Sequence, residues 1–391
     1  MKITGDWISQ AACQSVCALL NTHGFAAYFV GGCVRNDLLG APISDLDIST
    51  DARPEIVMDL AQAAGIRAVA TGIDHGTVTL VIDGRPFEIT TFRNDVETDG
   101  RHAKVRFSTN IADDAARRDF TMNALYADAA GNIIDPLGGL GDLRARHLRF
   151  VGIPQDRIRE DYLRILRFFR FTAYYGDPDL GFDADALDAI ARNLDGLAKL
   201  SRERVGSEMT KFLSAPDPAP AVAAMRACGV LAALLEGADD RALAPLVHLE
   251  QINGLPPDPI RRLAILGGTD VAERLRLSKA NTKTLATLRT HIEGMTPLSE
   301  VAYRETAEIA WSVALCRAAM FETPLPSETG DAISMGSTAR FPITAGDLID
   351  TVQGAELGQT LRQLEQQWID ADFRPSKEML VASFRNTPKQ G

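Results

Sequence analysis

The sequence predicts an α+β protein in which a small mixed sheet comes first and an all-helical part follows. Apolar runs of strand length occur before about residue 145, beginning with Ala27-Tyr28-Phe29-Val30. The segment GTVTLVIDGRPFEITTF carries Asp83-Gly84 between two β-rich runs, which is the strongest hairpin signal in the chain. From residue 156 onward, helix formers dominate and strand signals vanish. These three observations set the fold class.

Each predicted element has its own local signal. An amphipathic helix is expected from Trp7 to about Leu20, before the buried strand at 26–30. Residues 52–65 carry Pro near the start and Gly at the end, which is the usual asymmetry of a helix. Residues 94–106 are polar, and we expect them to form a solvated loop after the last strand of the sheet.

Length and composition are those of a globular protein. The chain has 391 residues, of which 46% are hydrophobic and 24% are charged, and this length suffices for two or three domains. No run of 18 apolar residues is present, and the N-terminal sequence has no basic segment followed by an apolar core. We therefore expect a soluble, cytoplasmic protein. The sequence does not predict its oligomeric state.

The net charge of −11 argues against a protein that coats nucleic acid indiscriminately. The charge is unevenly distributed, since residues 1–84 carry −5, residues 85–170 carry +2 and residues 171–391 carry −8. The motif-bearing middle segment is thus the least acidic part of the chain. An RNA substrate is compatible with this distribution but is not established by it.

The five cysteines are odd in number and scattered along the chain. Two of them are four residues apart on the first predicted helix, but no histidine or second cysteine pair completes a tetrahedral metal site. We therefore expect buried free thiols at all five positions, which are Cys13, Cys17, Cys33, Cys228 and Cys316.

The segment FVGGCVRNDLLGAPISDLDI combines a glycine pair with an Asp-Leu-Asp. Gly31 and Gly32 lie between a strand and a short helical pattern, so their N–H groups can approach a phosphate with no Cβ in the way. Asp45 and Asp47 are two apart in a predicted strand and therefore point to the same face. Either motif alone is usually a turn or a solvated loop. Together, in this order, they indicate a triphosphate site with Mg²⁺.

Three further motifs extend this pattern. AARRDFTMNALYADAAGNIIDPLGGLGDL, IREDYLRILRFFRF and LSRERVGSEMTKFL begin at residues 115, 158 and 200. With them, the chain resembles a class II member of the nucleotidyltransferase superfamily, the group that holds bacterial CCA-adding enzymes and bacterial poly(A) polymerases. The resemblance runs from about residue 26 to 213 and continues weakly into FPITAGDLI and WIDADFRPSKEML near the end.

The resemblance implies a domain organisation. Residues 1–145 would form the catalytic head, residues 146–215 a helical neck with a nucleotide-selecting helix, and residues 216–391 a helical body and tail that bind tRNA. Proline-rich breaks at 214–221 and 254–260 also divide the helical part into subdomains.

The resemblance also implies the reaction. An RNA 3′-hydroxyl would attack the α-phosphorus of a nucleoside triphosphate and release pyrophosphate, with two Mg²⁺ ions held by Asp45 and Asp47. Glu88 is a possible further carboxylate, although an ordinary strand-face glutamate is the simpler interpretation. The catalytic set implied by the resemblance is Asp45, Asp47 and Arg118, and the nucleotide-binding set is Gly31, Gly32, Arg35, Arg118, Asp161, Arg164, Arg167 and Arg170.

Nucleotide selection would depend on Asp161 and Arg164. Residues three apart share a helical face, so this pair can present an acceptor beside a donor. Cytosine and adenine each carry an amino group next to a ring nitrogen, whereas guanine and uracil present a ring N–H and a carbonyl there, so the pair suits C and A. The alternative is an ordinary surface salt bridge.

Two other segments have weaker functional signals. Asn123 either orients backbone or ribose or is a buried capping amide. In the family, the segment that corresponds to 94–106 is a mobile loop near the active site, which makes Arg101 and His102 candidates for contact with RNA or nucleotide. Arg117 and Asp119, which flank Arg118, are candidates for a structural ion pair.

The function implied is that of a CCA-adding tRNA nucleotidyltransferase using tRNA, CTP and ATP. A poly(A) polymerase shares all motifs to residue 213, but acidic composition and the tail resemblance favour a shape-selective tRNA binder. Enzymes that add only CC or only A remain alternatives. A non-catalytic RNA-binding protein is disfavoured because the carboxylates Asp45 and Asp47 are intact. A nucleotidyltransferase acting on small molecules or proteins would leave the selecting helix without a purpose.

Overall fold

The computed structural model describes residues 2–99, 102–349 and 351–386. The chain forms two compact units. The first lies within Met1–Ala238 and Thr269–Arg276, and the second within Asp239–Gly268 and Leu277–Gly391. The predicted boundaries at residues 145 and 215 stay predictions, since this division into two units does not test them.

All strands belong to the first unit. They are β1 (Tyr28–Val30), β2 (Asp47–Thr50), β3 (Arg67–Gly72), β4 (Thr77–Ile82), β5 (Arg85–Thr91), β6 (Arg93–Asp99), β7 (His102–Phe107), β8 (Tyr126–Ala127) and β9 (Ile133–Ile134). Seven of them form one sheet in the order β3-β4-β5-β2-β1-β8-β9, in which only β2 and β5 are parallel neighbours. The predicted mixed sheet is therefore confirmed.

The remaining regular elements of both units are helices. In chain order they are α1 (Ala11–Asn21), α2 (Gly32–Leu39), α3 (Pro54–Ala63), α4 (Ile111–Ala116), α5 (Gly139–Arg144), α6 (Pro154–Glu160), α7 (Leu163–Tyr175), α8 (Ala184–Ala191), α9 (Arg202–Leu213), α10 (Ala219–Ala227), α11 (Val230–Leu234), α12 (Leu243–Ile252), α13 (Pro259–Leu266), α14 (Val271–Arg274), α15 (Lys279–Gly294), α16 (Leu298–Arg304), α17 (Ala307–Met320), α18 (Thr329–Thr338), α19 (Ala355–Asp370) and α20 (Lys377–Asn386). Short 3-10 helices cover Asp6–Ser9, Ile73–His75, Thr121–Asn123, Leu194–Lys199 and Ala345–Asp347. The second unit contains α12, α13 and α15 to α20.

The turn between β4 and β5 matches its prediction. Asp83 and Gly84 both have positive φ, at 50° and 76°, which is the backbone geometry of a two-residue type I′ turn. Within the hairpin, β5 pairs with β4 along one edge, and along its other edge it pairs in parallel with β2. This pairing brings the predicted metal-binding strand into register with Glu88.

Two sequence predictions need correction. Residues 94–106 are not a simple loop, because β6 and β7 pair antiparallel from Arg93 and Phe107 to Asp99 and His102 and thereby satisfy their own backbone groups. Arg101 lies outside the described residues, and the side chain of His102 is not described. The first helix begins at Ala11 rather than Trp7, which sits in a 3-10 turn and donates an indole hydrogen bond of 2.7 Å to Asp37.

Helix α7 is fixed by a buried aromatic cluster. Its residues Phe168 and Phe171 pack with Phe120 and Phe150, with ring centroids 5.0–6.3 Å apart. Burying each such ring stabilises the fold by about 2 kcal/mol. The arginines of α7 recur every third residue, at 164, 167 and 170. Because the aromatic face of the helix is buried, these arginines occupy the opposite edge.

The remaining expectations concern cysteines and membranes. The five cysteines are free, and four of them are buried while Cys228 is half-buried, which supports the predicted role as structural thiols. Within the described ranges, no helix has both the length and the apolar character needed to cross a membrane.

Candidate active site

The glycine pair forms a sharp strand-to-helix turn. Gly31 directly follows β1 with φ 70° and ψ −115°, a conformation that side chains disfavour, and Gly32 opens α2. A Cβ on Gly31 would lie 3.4 Å from Nη1 of Arg118. The first N–H groups of a helix have no acceptor within it, and phosphate is a common ligand there. This turn has the geometry of the predicted phosphate cradle and lies beside an arginine, while phosphate binding there stays a prediction.

Three carboxylates surround the start of β2. Asp47 is the first residue of the strand and is the register partner of Glu88 on β5, while Asp45 lies two residues earlier. Burial raises the pKa of Asp47 to about 6, and the charges of Glu88 and Asp45 add to this shift while Arg118 opposes it. The charge of Asp45 thus acts on Asp47, with Glu88 as a third neighbour, but Asp45 lies before β2 and not in the strand predicted for both residues.

The carboxylates suit a cation that is shared with a substrate. No three His, Cys, Asp or Glu side chains of the described chain lie close enough to form a complete metal site. Mg²⁺ typically takes only one or two protein carboxylates and fills its shell with water and phosphate oxygens. A divalent cation would neutralise the negative charge that raises the pKa of Asp47. The donor set therefore fits a hard divalent cation, and Asp45 and Asp47 as its ligands stay a prediction.

Arg118 is held in place by a buried carboxylate that the sequence analysis missed. Its Nη2 donates to Oδ2 of Asp114 at 3.0 Å and to Oγ of Ser49 at 3.2 Å, and its Nε donates to the hydroxyl of Tyr126 at 3.1 Å. Asp114 is fully buried and also pairs with Arg117 at 2.6 Å. Burial alone would raise the pKa of Asp114, but the two arginines and the Tyr126 hydroxyl lower it.

The i, i+3 and i, i+4 spacing of Asp114 from Arg117 and Arg118 was a usable signal for this network. The suggested pairing of Arg117 with Asp119 is wrong, because Arg117 bonds Asp114 and Asp119 bonds Arg167. Arg117 and Asp119 follow the end of α4 at Ala116. Their side chains therefore leave the backbone in different directions and reach different partners.

Arg35 is buried rather than open to solvent. Its Nη1 donates to Oδ1 of Asn123 at 2.5 Å, and its Nη2 donates to Asn36 and to the hydroxyl of Tyr175, each at 2.8 Å. With a further bond from Nε to Asn36, four of its five N–H donors have protein partners. Its guanidinium also lies 4.1 Å from the Tyr175 ring centroid. A direct phosphate contact by Arg35 stays a prediction.

Asn123 connects Arg35 to a second buried carboxylate. Its amide donates to Oδ1 of Asp119 at 2.9 Å, and Oδ2 of Asp119 accepts a bidentate hydrogen bond from Arg167 on α7. Burial alone would raise the pKa of Asp119, but the Arg167 charge and the Asn123 amide lower it to about 2. Asn123 is therefore a buried amide with side-chain partners on both sides.

A helix break separates Asp161 from Arg164, the two residues predicted to select the base. Asp161 is extended, with φ −153° and ψ 106°, between the end of α6 and the start of α7. Asp161 and Arg164 therefore do not share one helical face, nor do they form the surface salt bridge considered as an alternative. Instead, Oδ2 of Asp161 accepts from Arg204 at 2.6 Å, and Arg164 donates to Glu160 at 2.5 Å.

Arg164 nevertheless reaches the rest of the site. Its Nη2 donates to the carbonyl of Arg117 at 3.1 Å, next to Arg118, whose charge lowers the pKa of Asp47. Its Nη1 donates to Glu160 and to the carbonyl of Arg157, so Nε and one Nη2 hydrogen remain for a ligand. Each oxygen of Asp161 accepts one hydrogen bond, from the N–H of Leu163 or from Arg204, and keeps acceptor capacity.

Arg167 and Arg170 lie on the same edge of α7. Their guanidinium carbons are 5.1 and 4.4 Å from the Phe171 ring centroid, and that of Arg35 is 5.0 Å away. Arg170 also pairs with buried Glu208 on α9 at 2.5 Å. The structure thus groups three of the five arginines predicted to bind nucleotide around one aromatic ring, while their contacts with nucleotide remain predictions.

Comparison with protein families and curated proteins gives consistent results. The family described as "Poly A polymerase head domain" matches residues 27–149, and that described as "Probable RNA and SrmB- binding site of polymerase A" matches residues 179–241. The chain is 33% identical to "CCA tRNA nucleotidyltransferase 1, mitochondrial" of Mus musculus, over 96% of this chain and 90% of that protein. The human protein of the same name is 32% identical, over 91% and 86%.

Solved structures share the fold. The crystal structure of the Bacillus stearothermophilus CCA-adding enzyme in complex with CTP has a TM-score of 0.70 and 29% identity, covering 96% of this chain and 97% of that chain. The Thermotoga maritima CCA-adding enzyme complexed with tRNA has a TM-score of 0.69, covers 95% and 94%, and at 20% identity bears on the fold alone. The mammalian relatives are named mitochondrial, so a cytoplasmic location for this chain stays a prediction.

Proposed function

Because the chain belongs to the family of CCA tRNA nucleotidyltransferases, we propose that it extends the 3′ end of tRNA with C, C and A, using CTP and ATP. The observation that carries this proposal is the position of Arg118. Its charge lowers the pKa of Asp47, it lies beside the Gly31 turn, and the neighbouring Arg117 carbonyl accepts a hydrogen bond from Arg164. The groups proposed for catalysis and for base selection would therefore be connected through residues 117–118.

Asp45 and Asp47 would hold magnesium, and Glu88 is a third carboxylate within electrostatic reach of Asp47. Magnesium bound there would lower the pKa of the attacking 3′-hydroxyl and neutralise the leaving pyrophosphate. The N–H groups at Gly31 and Gly32 would orient the triphosphate, and Arg118 would add positive charge without needing to reorganise, since Asp114 already fixes it.

Base selection would use the spare hydrogen-bonding capacity of the turn between α6 and α7. Arg164 has an unused Nε–H beside an Nη2–H, and the carboxylate of Asp161 can still accept. A ring nitrogen and an exocyclic amino group satisfy both residues, as cytosine and adenine do. Guanine or uracil would leave a buried donor or acceptor unpaired, at a cost of about 1 to 3 kcal/mol. Arg167 and Arg170 would contact the same nucleotide.

The helical part would bind tRNA. We propose that residues 146–215 act as the neck and residues 216–391 as body and tail, and the charge of −8 over residues 171–391 suits recognition of a particular RNA shape rather than of any RNA backbone. A poly(A) polymerase is the second candidate, because the family matched at residues 27–149 carries that name. The relatives that match almost the full chain favour CCA addition.

The test offers tRNA transcripts that end at the discriminator base, at C or at CC, with each triphosphate alone and mixed. Addition that stops after CCA supports the proposal. An open-ended A tail supports a poly(A) polymerase, and a stop after CC or addition of A alone supports a specialised enzyme. The Asp47→Asn variant serves as the control for contaminating polymerases. No addition by the wild-type protein contradicts the proposed function.

A further inference from the structure

The Tyr162 side chain packs directly on a glycine. Gly196 lies in the 3-10 helix Leu194–Lys199, and a Cβ added to it would lie 1.9, 2.0 and 2.4 Å from Cδ1, Cε1 and Cγ of the Tyr162 ring. Carbon atoms do not approach so closely, so any side chain at position 196 must displace the ring. The Lys199 ammonium lies 5.4 Å from the same ring centroid. The ring is therefore fixed by this 3-10 helix.

Tyr162 also connects the two residues that select the base. It directly follows Asp161 in the turn between α6 and α7. Two hydrogen bonds close this turn: the N–H of Leu163 donates to Oδ1 of Asp161 at 3.1 Å, and the N–H of Arg164 donates to the Asp161 carbonyl at 3.0 Å. Because α6 has already ended and α7 starts at Leu163, no regular helix holds this turn. A shift of the Tyr162 ring is therefore passed to the Asp161 carboxylate through one peptide unit.

We propose that the contact of the Tyr162 ring with Gly196 determines nucleotide specificity, by fixing Asp161 and Arg164 at the spacing that cytosine and adenine require. Tyr162 and Gly196 are positioning residues, since they act through Asp161 and not on the nucleotide. This proposal rests on the proposed function. It accounts for a glycine at position 196, where no positive φ requires one and only the ring above it does.

The main experiment compares Gly196→Ala with the wild-type protein. The readout is the ratio of kcat/KM for CTP to that for UTP, on tRNA that ends at the discriminator base. We expect Gly196→Ala to lower this ratio roughly tenfold, as loss of one well-placed polar contact does, with the KM for tRNA unchanged. Gly336→Ala is the matched control, because a Cβ there would lie 1.9 Å from the Ser299 carbonyl oxygen in the second unit. It should lower the melting temperature and leave the ratio unchanged.

A second pair of variants separates displacement of the ring from loss of folding. Tyr162→Ala removes the ring without crowding, so it should lower the ratio to a similar extent, and adding Gly196→Ala to it should change little more. Tyr162→Phe keeps the ring and should keep the wild-type ratio. A folded Gly196→Ala or Tyr162→Ala protein with wild-type discrimination would overturn the proposal. A wild-type protein that adds no C would instead overturn the proposed function, and this proposal with it.

Discussion

Asp47 on β2 and Glu88 on the parallel strand β5 are register partners, so two carboxylates lie side by side at the start of β2. Burial of Asp47, reinforced by the charges of Glu88 and Asp45, raises its pKa to about 6. Without a cation, this arrangement opposes folding at neutral pH. The site therefore suits a positive charge, such as that of a divalent cation that arrives with a substrate. We expect removal of the Asp47 charge to lower activity and to raise stability.

The Asp47→Asn variant should lose nucleotide incorporation by roughly a hundredfold or more in the presence of Mg²⁺, yet it should be more stable than wild type in EDTA at pH 8. The folded pKa of Asp47, about 6, lies above its usual value of 3.8. Below pH 3.8, Asp47 is protonated in both the folded and the unfolded protein and does not oppose folding. As the pH rises from 3.8 through 6, its ionisation lowers the free energy of unfolding. Urea unfolding should show a gain of about 1–2 kcal/mol for the variant at pH 8 and none at pH 4.

Glu88→Gln is the companion variant for this measurement. It removes the second-largest cause of the shift, so we expect a smaller stabilisation at pH 8 in the same direction. A variant at position 47 that is less stable than wild type at pH 8 without metal would contradict the inferred crowding of negative charge.

The Asp114→Asn variant should weaken both folding and nucleotide binding. It leaves Arg117 and Arg118 without their shared buried carboxylate, and removing one partner of a buried ion pair costs about 3 kcal/mol. Because Arg118 also loses its fixed orientation, the KM for CTP should rise. Urea unfolding and steady-state kinetics at saturating tRNA measure the two effects.

The control for Asp114 is its neighbour Asp113 on α4. Asp113 accepts a hydrogen bond of 2.6 Å from Ser108 and is not paired with either arginine. Asp113→Asn should leave the KM for CTP near the wild-type value. An equal rise in KM for both variants would show that α4 as a whole is affected, rather than the orientation of Arg118.

Local patterns in the sequence predicted the parts of the site that depend on nearby residues. The Gly31 turn and the Asp83-Gly84 hairpin each require only a few consecutive residues, and the structure has both, whereas β2 begins at Asp47 and leaves Asp45 outside the predicted strand. Their spacing alone determines which groups can converge. Short-range geometry is therefore readable before any tertiary contact is known.

Partners that come from distant segments were not predictable in this way. Arg204 bonds Asp161 across 43 residues and Arg167 bonds Asp119 across 48, so neither pair leaves a periodic signal in the sequence. The helix break at Asp161 was missed because Arg, Leu and Glu, which favour a helix, occur on both sides of it within residues 158–171, and neither Gly nor Pro interrupts the segment. Tertiary contacts on both sides of the turn outweigh that propensity.

The Asp119→Asn variant should destabilise the protein at neutral pH and much less in acid. The folded pKa of Asp119 is about 2, below its usual value of 3.8, so its ionised form stabilises the fold above pH 4 and this contribution is lost as the pH falls through 2. Equilibrium unfolding should show a loss of about 2 kcal/mol at pH 7. The difference from wild type should shrink at pH 3. A constant difference across this range would contradict ionisation of Asp119 as its source.

The Arg164→Ala variant should erode discrimination more than tRNA binding. Arg164 keeps two donors free for a base while three of its hydrogen bonds hold it to Glu160, Arg157 and Arg117. Loss of such a fork should lower the preference for CTP over UTP by roughly ten- to a hundredfold. Competition between the two triphosphates on one tRNA transcript measures the preference, and filter binding measures the tRNA affinity.

Two comparisons make the role of Arg164 specific. Arg164→Lys keeps the charge but cannot present two donors in one plane, so it should discriminate almost as poorly as the alanine variant. Arg159→Ala removes an exposed arginine from α6 and should leave the preference intact. If Arg164→Lys instead retained wild-type discrimination, positive charge alone would suffice there. Selection would then have to depend on Asp161 and the shape of the surrounding turn rather than on paired donors.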